Sequence, residues 1–148
     1  MVETEEEQQQ DTSYAQAIFS ISPKRLDSLG RSLQLLLLHR RCATCWVKLM
    51  QDPQGGRGVK VSVHLRQIAK QCSTTPDFIH SEMPLAEAIF RVLLANGNKP
   101  MTTEEIYGVL NERWVDPINP RIPALEGVYK ILATDTFYGI AEEVPEGP

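Results

Sequence analysis

The sequence predicts a mainly α chain: a long N-terminal helix, a second helical segment, then three short helices closed by a short C-terminal β-hairpin. Three observations predict it. Apolar residues recur at three- and four-residue steps from Leu26 to Met50 and again from Leu85 to Leu132. Cap residues and residues tolerant of positive φ punctuate the second half. Only Phe137-Tyr138-Gly139-Ile140, near the end, reads as a strand.

Residues 1–21 carry Glu3, Glu5, Glu6, Glu7 and Asp11 and no Lys or Arg, and are expected to be a disordered acidic tail. From Ser22 to Met50 the pattern reads as one long helix, with Ser22 as N-cap and Pro23 at the first helical position. Leu26, Leu29, Leu33, Leu36, Leu37, Ala43, Val47 and Met50 form its apolar stripe, which Leu35 and Leu38 widen. A helix apolar on more than one face buries more than one face, so homodimerisation is an expectation. Asp52 to Gly58 is a flexible connector, and Ser62 is expected to cap a shorter helix carrying Val63, Leu65, Ile68, Ala69 and Cys72. No Gly-Lys-Ser/Thr follows Gly58, so the glycines do not make a phosphate loop.

Residues 83–144 are punctuated more sharply. Pro84 opens the run Leu85, Ala88, Ile89, Val92 and Leu93, which Asn96-Gly97-Asn98 closes. Thr102 and Glu105 form a capping box ahead of Ile106, Tyr107, Val109 and Leu110. A third helix is expected from Pro123, with Leu125, Val128, Tyr129 and Leu132 on one face and Thr134-Asp135 at its end. Trp114 and Tyr138 are expected to close the core. Three helices followed by an apolar hairpin is the order of a winged helix. Residues 22–82 then form a separate basic helical segment, and residues 145–148 a tail.

The region resembles the HARE-type winged helix-turn-helix module, known from the delta subunit of bacterial RNA polymerase and from chromatin-associated proteins. The likeness is carried by Ala88-Ile89-Phe90-Arg91-Val92-Leu93, the Asn-Gly-Asn-Lys-Pro turn, Met101 to Ile106, and Phe137 to Ile140, and covers under half of the chain. It implies a transcription-associated role, with the transcription machinery as the kind of protein partner to expect.

Charge separates two uses of such a module. Residues 83–148 hold five Lys or Arg against ten Asp or Glu, a balance of −5, which repels DNA. The third helix offers Arg121 and Lys130, offset by Glu126, and these three are the candidate protein-binding residues. Residues 22–82 hold ten basic side chains against four acidic ones, a balance of +6. Arg40, Arg41, Lys48, Arg57, Lys60, Arg66 and Lys70 are therefore the candidate contacts to DNA or RNA. The same residues also fit an ordinary solvated basic face, since aromatic interleaving is limited to Trp46.

Cys42-Ala43-Thr44-Cys45 raises zinc and thiol redox chemistry. A structural zinc needs four ligands, and neither Cys72 nor His39, His64 and His80 forms a second close pair in sequence, so no metal or other cofactor is expected. A redox couple needs the motif at a helix N-terminus, whereas the long-helix reading puts it inside a helix. The scattered histidines read as surface or boundary side chains. No catalytic motif is present, so a non-enzymatic protein is expected. Three uses remain open: nucleic-acid contact, a protein adaptor without nucleic acid, and a cysteine-dependent redox protein. The chain has no apolar run long enough to span a membrane, and its start lacks the pattern of an export signal; a reducing cytoplasm is the expected setting for its three cysteines.

Overall fold

In the computed structural model, residues 13–114 and 123–143 are described. They are mainly helical, with a small three-stranded antiparallel sheet. A 3₁₀ turn, Ser13–Gln16, leads into β1 (Ile18–Ile21). Four helices follow: α1 (Pro23–Ser28), α2 (Leu33–Leu38), α3 (Ala43–Met50) and α4 (Val61–Lys70), the last running into a 3₁₀ turn at Cys72–Thr74. The second half is α5 (Leu85–Ala95), β2 (Met101–Thr102), α6 (Thr103–Arg113), α7 (Leu125–Thr134) and β3 (Ile140–Glu143).

The expected long helix is three helices. Ser22 does cap α1, its hydroxyl accepting the Arg25 N–H at 3.2 Å, with Pro23 in the first turn. Gly30 then adopts φ +73°, its N–H donating to Asp27 O while Arg31 N–H reaches Leu26 O at 2.9 Å. That pair of bonds is a Schellman ending, and it satisfies carbonyls that a continuing helix would have used. Ser32 restarts the chain as the N-cap of α2. A second break at Arg40-Arg41 leaves Cys42 as the N-cap of α3. The continuous apolar stripe from which a dimer was expected is thus folded back on itself, and Leu26 and Leu37 are fully buried.

Part of the expected disordered tail is ordered. Within residues 1–21, positions 13–21 are structured, and β1 is the central strand of the sheet, in the order β2-β1-β3. Phe19 pairs with Met101 on one side and with Glu142 on the other. Its alternation places Phe19 and Ile21 in the core. Beyond β2, the Asn98 side chain takes over the ladder, accepting Ile21 N–H at 2.8 Å and donating to Ile21 O at 3.0 Å. Asn98 reaches this position through φ +60°, following Gly97 at φ +67°, in the turn where such residues were expected.

The capping box at Thr102 and Glu105 is present in both directions. The third helix starts at Leu125, two residues beyond Pro123, and α4 starts at Val61 with Lys60 as its cap, so Ser62 lies inside the helix. The closing strand begins at Ile140, and its partner is β1 from the opposite end of the chain. Phe137 to Gly139 form a turn instead, because the buried Asp135 carboxylate accepts the N–H groups of Phe137, Tyr138 and Ile140. Gly139 sits at φ +75° against Leu26.

One hydrophobic cluster runs from Phe19 through Leu37, Ile68, Ile89 and Phe90 to Ile106, Leu132 and Ile140, and is continuous across the 82/83 boundary. Trp114 is buried in it and Tyr138 packs on its edge, its ring tilted against Phe90 at 4.7 Å. The two halves are also joined by charge: the Glu87 carboxylate accepts Arg40 Nε at 3.0 Å and Nη2 at 2.8 Å, Arg91 Nε at 2.9 Å and the Tyr138 hydroxyl at 3.0 Å. No described helix is long and apolar enough to cross a membrane.

Candidate functional site

The seven basic candidates divide by burial. Arg40 and Arg41 are structural. Arg40 is committed to Glu87 and to the Leu36 carbonyl, and lies over the Phe90 ring. Arg41 is buried, with its guanidinium on His64 Nδ1 at 2.8 Å and on the Gln67 side-chain oxygen. Lys48, Arg57, Lys60, Arg66 and Lys70 are exposed. Arg66 and Lys70 stand one turn apart on α4 and line a cleft of about 320 Å³ against the turn after α5, where Lys99 joins them. Among the described residues, no acidic side chain lines that cleft. Lys99 was missed because it belongs by sequence to the acidic half. The positive-φ turn at Gly97-Asn98, which throws it toward α4, was the available signal.

The candidate protein-binding residues lie elsewhere. Glu126 and Lys130 form an exposed pair on α7, separated by 3.4 Å and one turn. Arg121 lies outside the described residues. Glu142 and Glu143 are exposed on β3, so this edge of the sheet is acidic. Ile18, which opens the central strand, is opposite Glu143.

His64 corrects the reading of the histidines as surface or boundary groups, since it is fully buried. Burial, then the Arg41 charge, hold its pKa below the ordinary value, so the ring is neutral and accepts from Arg41 through Nδ1. Its Nε2 is buried with no hydrogen-bond partner among the described residues. His39 is exposed and stacks on Trp46 at 6.0 Å.

The cysteines depart furthest from expectation. The Cys-x-x-Cys motif does not lie inside a helix: Cys42 is the N-cap of α3 and Cys45 sits in its first turn. The fold then adds Cys72 from the end of α4, so all three Sγ atoms lie within 4.8 Å of one another. Cys72 Sγ is 3.7 Å from Cys45 Sγ and accepts the Cys42 backbone N–H at 3.1 Å. Cys45 and Cys72 are buried and Cys42 is half-buried. Burial pushes the Cys72 thiol up to about 12. At Cys42 burial also acts upward, yet the Cys45 N–H, the neighbouring thiols and the Thr44 N–H outweigh it and hold the thiol below its ordinary value. Sequence spacing showed the close pair. It could not show the third sulfur, which arrives only because α4 packs back along α2.

Comparison with protein-family models, with curated proteins and with solved structures finds no match.

Proposed function

We propose that this is a non-enzymatic, transcription-associated protein of winged-helix type that contacts nucleic acid through the basic cleft between α4 and the turn after α5. The single observation that supports this is the convergence of Arg66, Lys70 and Lys99 on a cleft that no carboxylate among the described residues lines. Three cations lining one groove can neutralise neighbouring phosphates together, and phosphate neutralisation supplies most non-specific affinity. Lys48, Arg57 and Lys60 are further exposed cations of the basic segment. The order helix, strand, helix, helix, strand from α5 to β3 is that of a winged helix, and the likeness to the HARE-type module supports the transcriptional setting.

In this reading the helix that would enter the major groove does not do so, because the exposed face of α7 offers only Lys130, paired with Glu126. That face and the acidic edge of β3 dock a protein partner instead. A pure adaptor is the second reading, favoured by this same edge, where Glu126, Glu142 and Glu143 are all exposed.

Salt-dependent binding to random duplex DNA tests the proposal. Three phosphate contacts give a slope of log affinity against log salt near −2.7, or about a 40-fold loss between roughly 50 and 200 mM salt. Lys70→Glu with Lys99→Glu weakens binding by a similar factor regardless of DNA sequence. No measurable binding at about 50 mM salt, where the attraction is strongest, refutes the nucleic-acid contact and leaves the adaptor.

A further inference from the structure

We propose that Cys42, Cys45 and Cys72 together form a three-thiolate binding site for one thiophilic metal ion of the zinc class. The inference is independent of the nucleic-acid reading. It begins from convergence: two segments 27 residues apart, from Cys45 to Cys72, bring three sulfurs together at the junction of the α3 N-terminus and the α4 C-terminus. Soft thiolate ligands select zinc, copper(I) and iron–sulfur centres over hard cations. With a Zn–S bond of about 2.3 Å, the edge of a tetrahedral thiolate site is about 3.8 Å. The Cys72–Cys45 separation of 3.7 Å already equals that edge. The widest pair lies within 4.8 Å, so closing the triangle needs side-chain motions of about 1 Å.

The backbone around the sulfurs suits negative charge. The Cys42 N–H donates to Cys72 Sγ, and Cys42 and Cys45 occupy the N-cap and the first turn of α3. Three thiolates and a divalent cation sum to −1, which this donor and the positive end of α3 stabilise. Loading is a proton exchange: each thiol gives up its proton to solvent as its sulfur bonds the metal, and no electron is transferred. The buried Cys72 is protonated without a metal, and the charge of the ion is what removes its proton. Three protein ligands among the described residues leave a fourth position for water or an external thiol, and the half-buried Cys42 marks the side from which it arrives.

A dithiol redox couple uses only Cys42 and Cys45 and gives Cys72 no role. The two ideas are separated on the reduced, metal-free full-length chain. Titration with Co(II) is expected to give a thiolate-to-metal charge-transfer band and the intense d–d bands of a tetrahedral site, saturating at one ion per chain. Zn(II) displaces the Co(II), and native mass spectrometry counts one zinc. Cys72→Ser and, separately, the more exposed Cys42→Ser each weaken Zn(II) binding by more than the roughly 100-fold that loss of a supporting contact costs. Circular dichroism of both variants verifies the fold, and Cys42→Ser carries the test if Cys72→Ser does not fold. Absence of the charge-transfer band, or Zn(II) affinity unchanged in a folded Cys42→Ser, overturns the proposal. So does a Cys42–Cys45 disulfide formed in mild oxidant by a chain that takes up no zinc.

Discussion

Replacing Glu87 with glutamine removes the charge that joins the N-terminal helices to the rest while keeping the side-chain volume. The carboxylate faces two guanidinium groups, and the side chains of Arg40, Glu87 and Arg91 are 13%, 15% and 22% exposed. Breaking a fully buried ion pair costs about 3–5 kcal/mol. Here the exposure admits some solvent screening, and one amide oxygen still accepts a bond, so a loss of about 2–3 kcal/mol is expected. For a domain of this size that lowers Tm by about 4–12 °C. The pH dependence carries the sign. Burial raises the Glu87 pKa, but the hydrogen bonds from Arg40 and Arg91 outweigh it and the pKa is lowered. Its contribution is therefore complete above the ordinary value of 4.5 and is lost as pH falls through the folded value. Urea unfolding followed by circular dichroism should show a gap between wild type and Glu87→Gln at pH 7 that narrows below pH 4.5. A loss under about 0.5 kcal/mol at pH 7, the range of ordinary surface substitutions, refutes the argument, as does a gap that persists unchanged in acid.

Two further outcomes follow from the geometry. A Cβ at Gly139 would sit 2.3 Å from Leu26 Cγ at φ +75°, so Gly139→Ala is expected to cost about 2–5 kcal/mol from overpacking and left-handed backbone together. Gly97→Ala, at φ +67° with no atom within 4 Å of the added carbon, should cost only about 1–2 kcal/mol, and equal losses in urea melts would contradict this account. His64 has a folded pKa below its ordinary 6.5, so the unfolded chain takes up a proton first on acidification. Stability present above pH 6.5 should be lost below it with a slope of up to about 1.4 kcal/mol per pH unit, and His64→Asn, which keeps an acceptor for Arg41, should flatten that slope.

Local chemistry made much of the second half legible from residue order alone. The Thr102–Glu105 box, the positive-φ turn at Gly97-Asn98 and the periodicity of α5 to α7 are set within three or four residues, where hydrogen bonds and side-chain spacing are determined by neighbours. The break at Gly30-Arg31-Ser32 was equally local, a left-handed glycine followed by a capping serine, but the strong apolar repeat on either side masked it. The basic segment was visible as composition, while the use of each cation was not. Whether Arg40 meets solvent or Glu87, 47 positions away, depends on which helices pack together. The same holds for Lys99 entering the α4 cleft, for β1 taking the centre of the sheet from a segment that reads as an acidic tail, and for Cys72 joining Cys42 and Cys45. Sequence by itself determined the helices of the second half, the caps at Ser22 and Thr102 and the distribution of charge, because those follow from short-range bonding. Only the tertiary structure decided which charges are neutralised and which thiols meet, because those contacts form only once distant elements bury their apolar faces against one another.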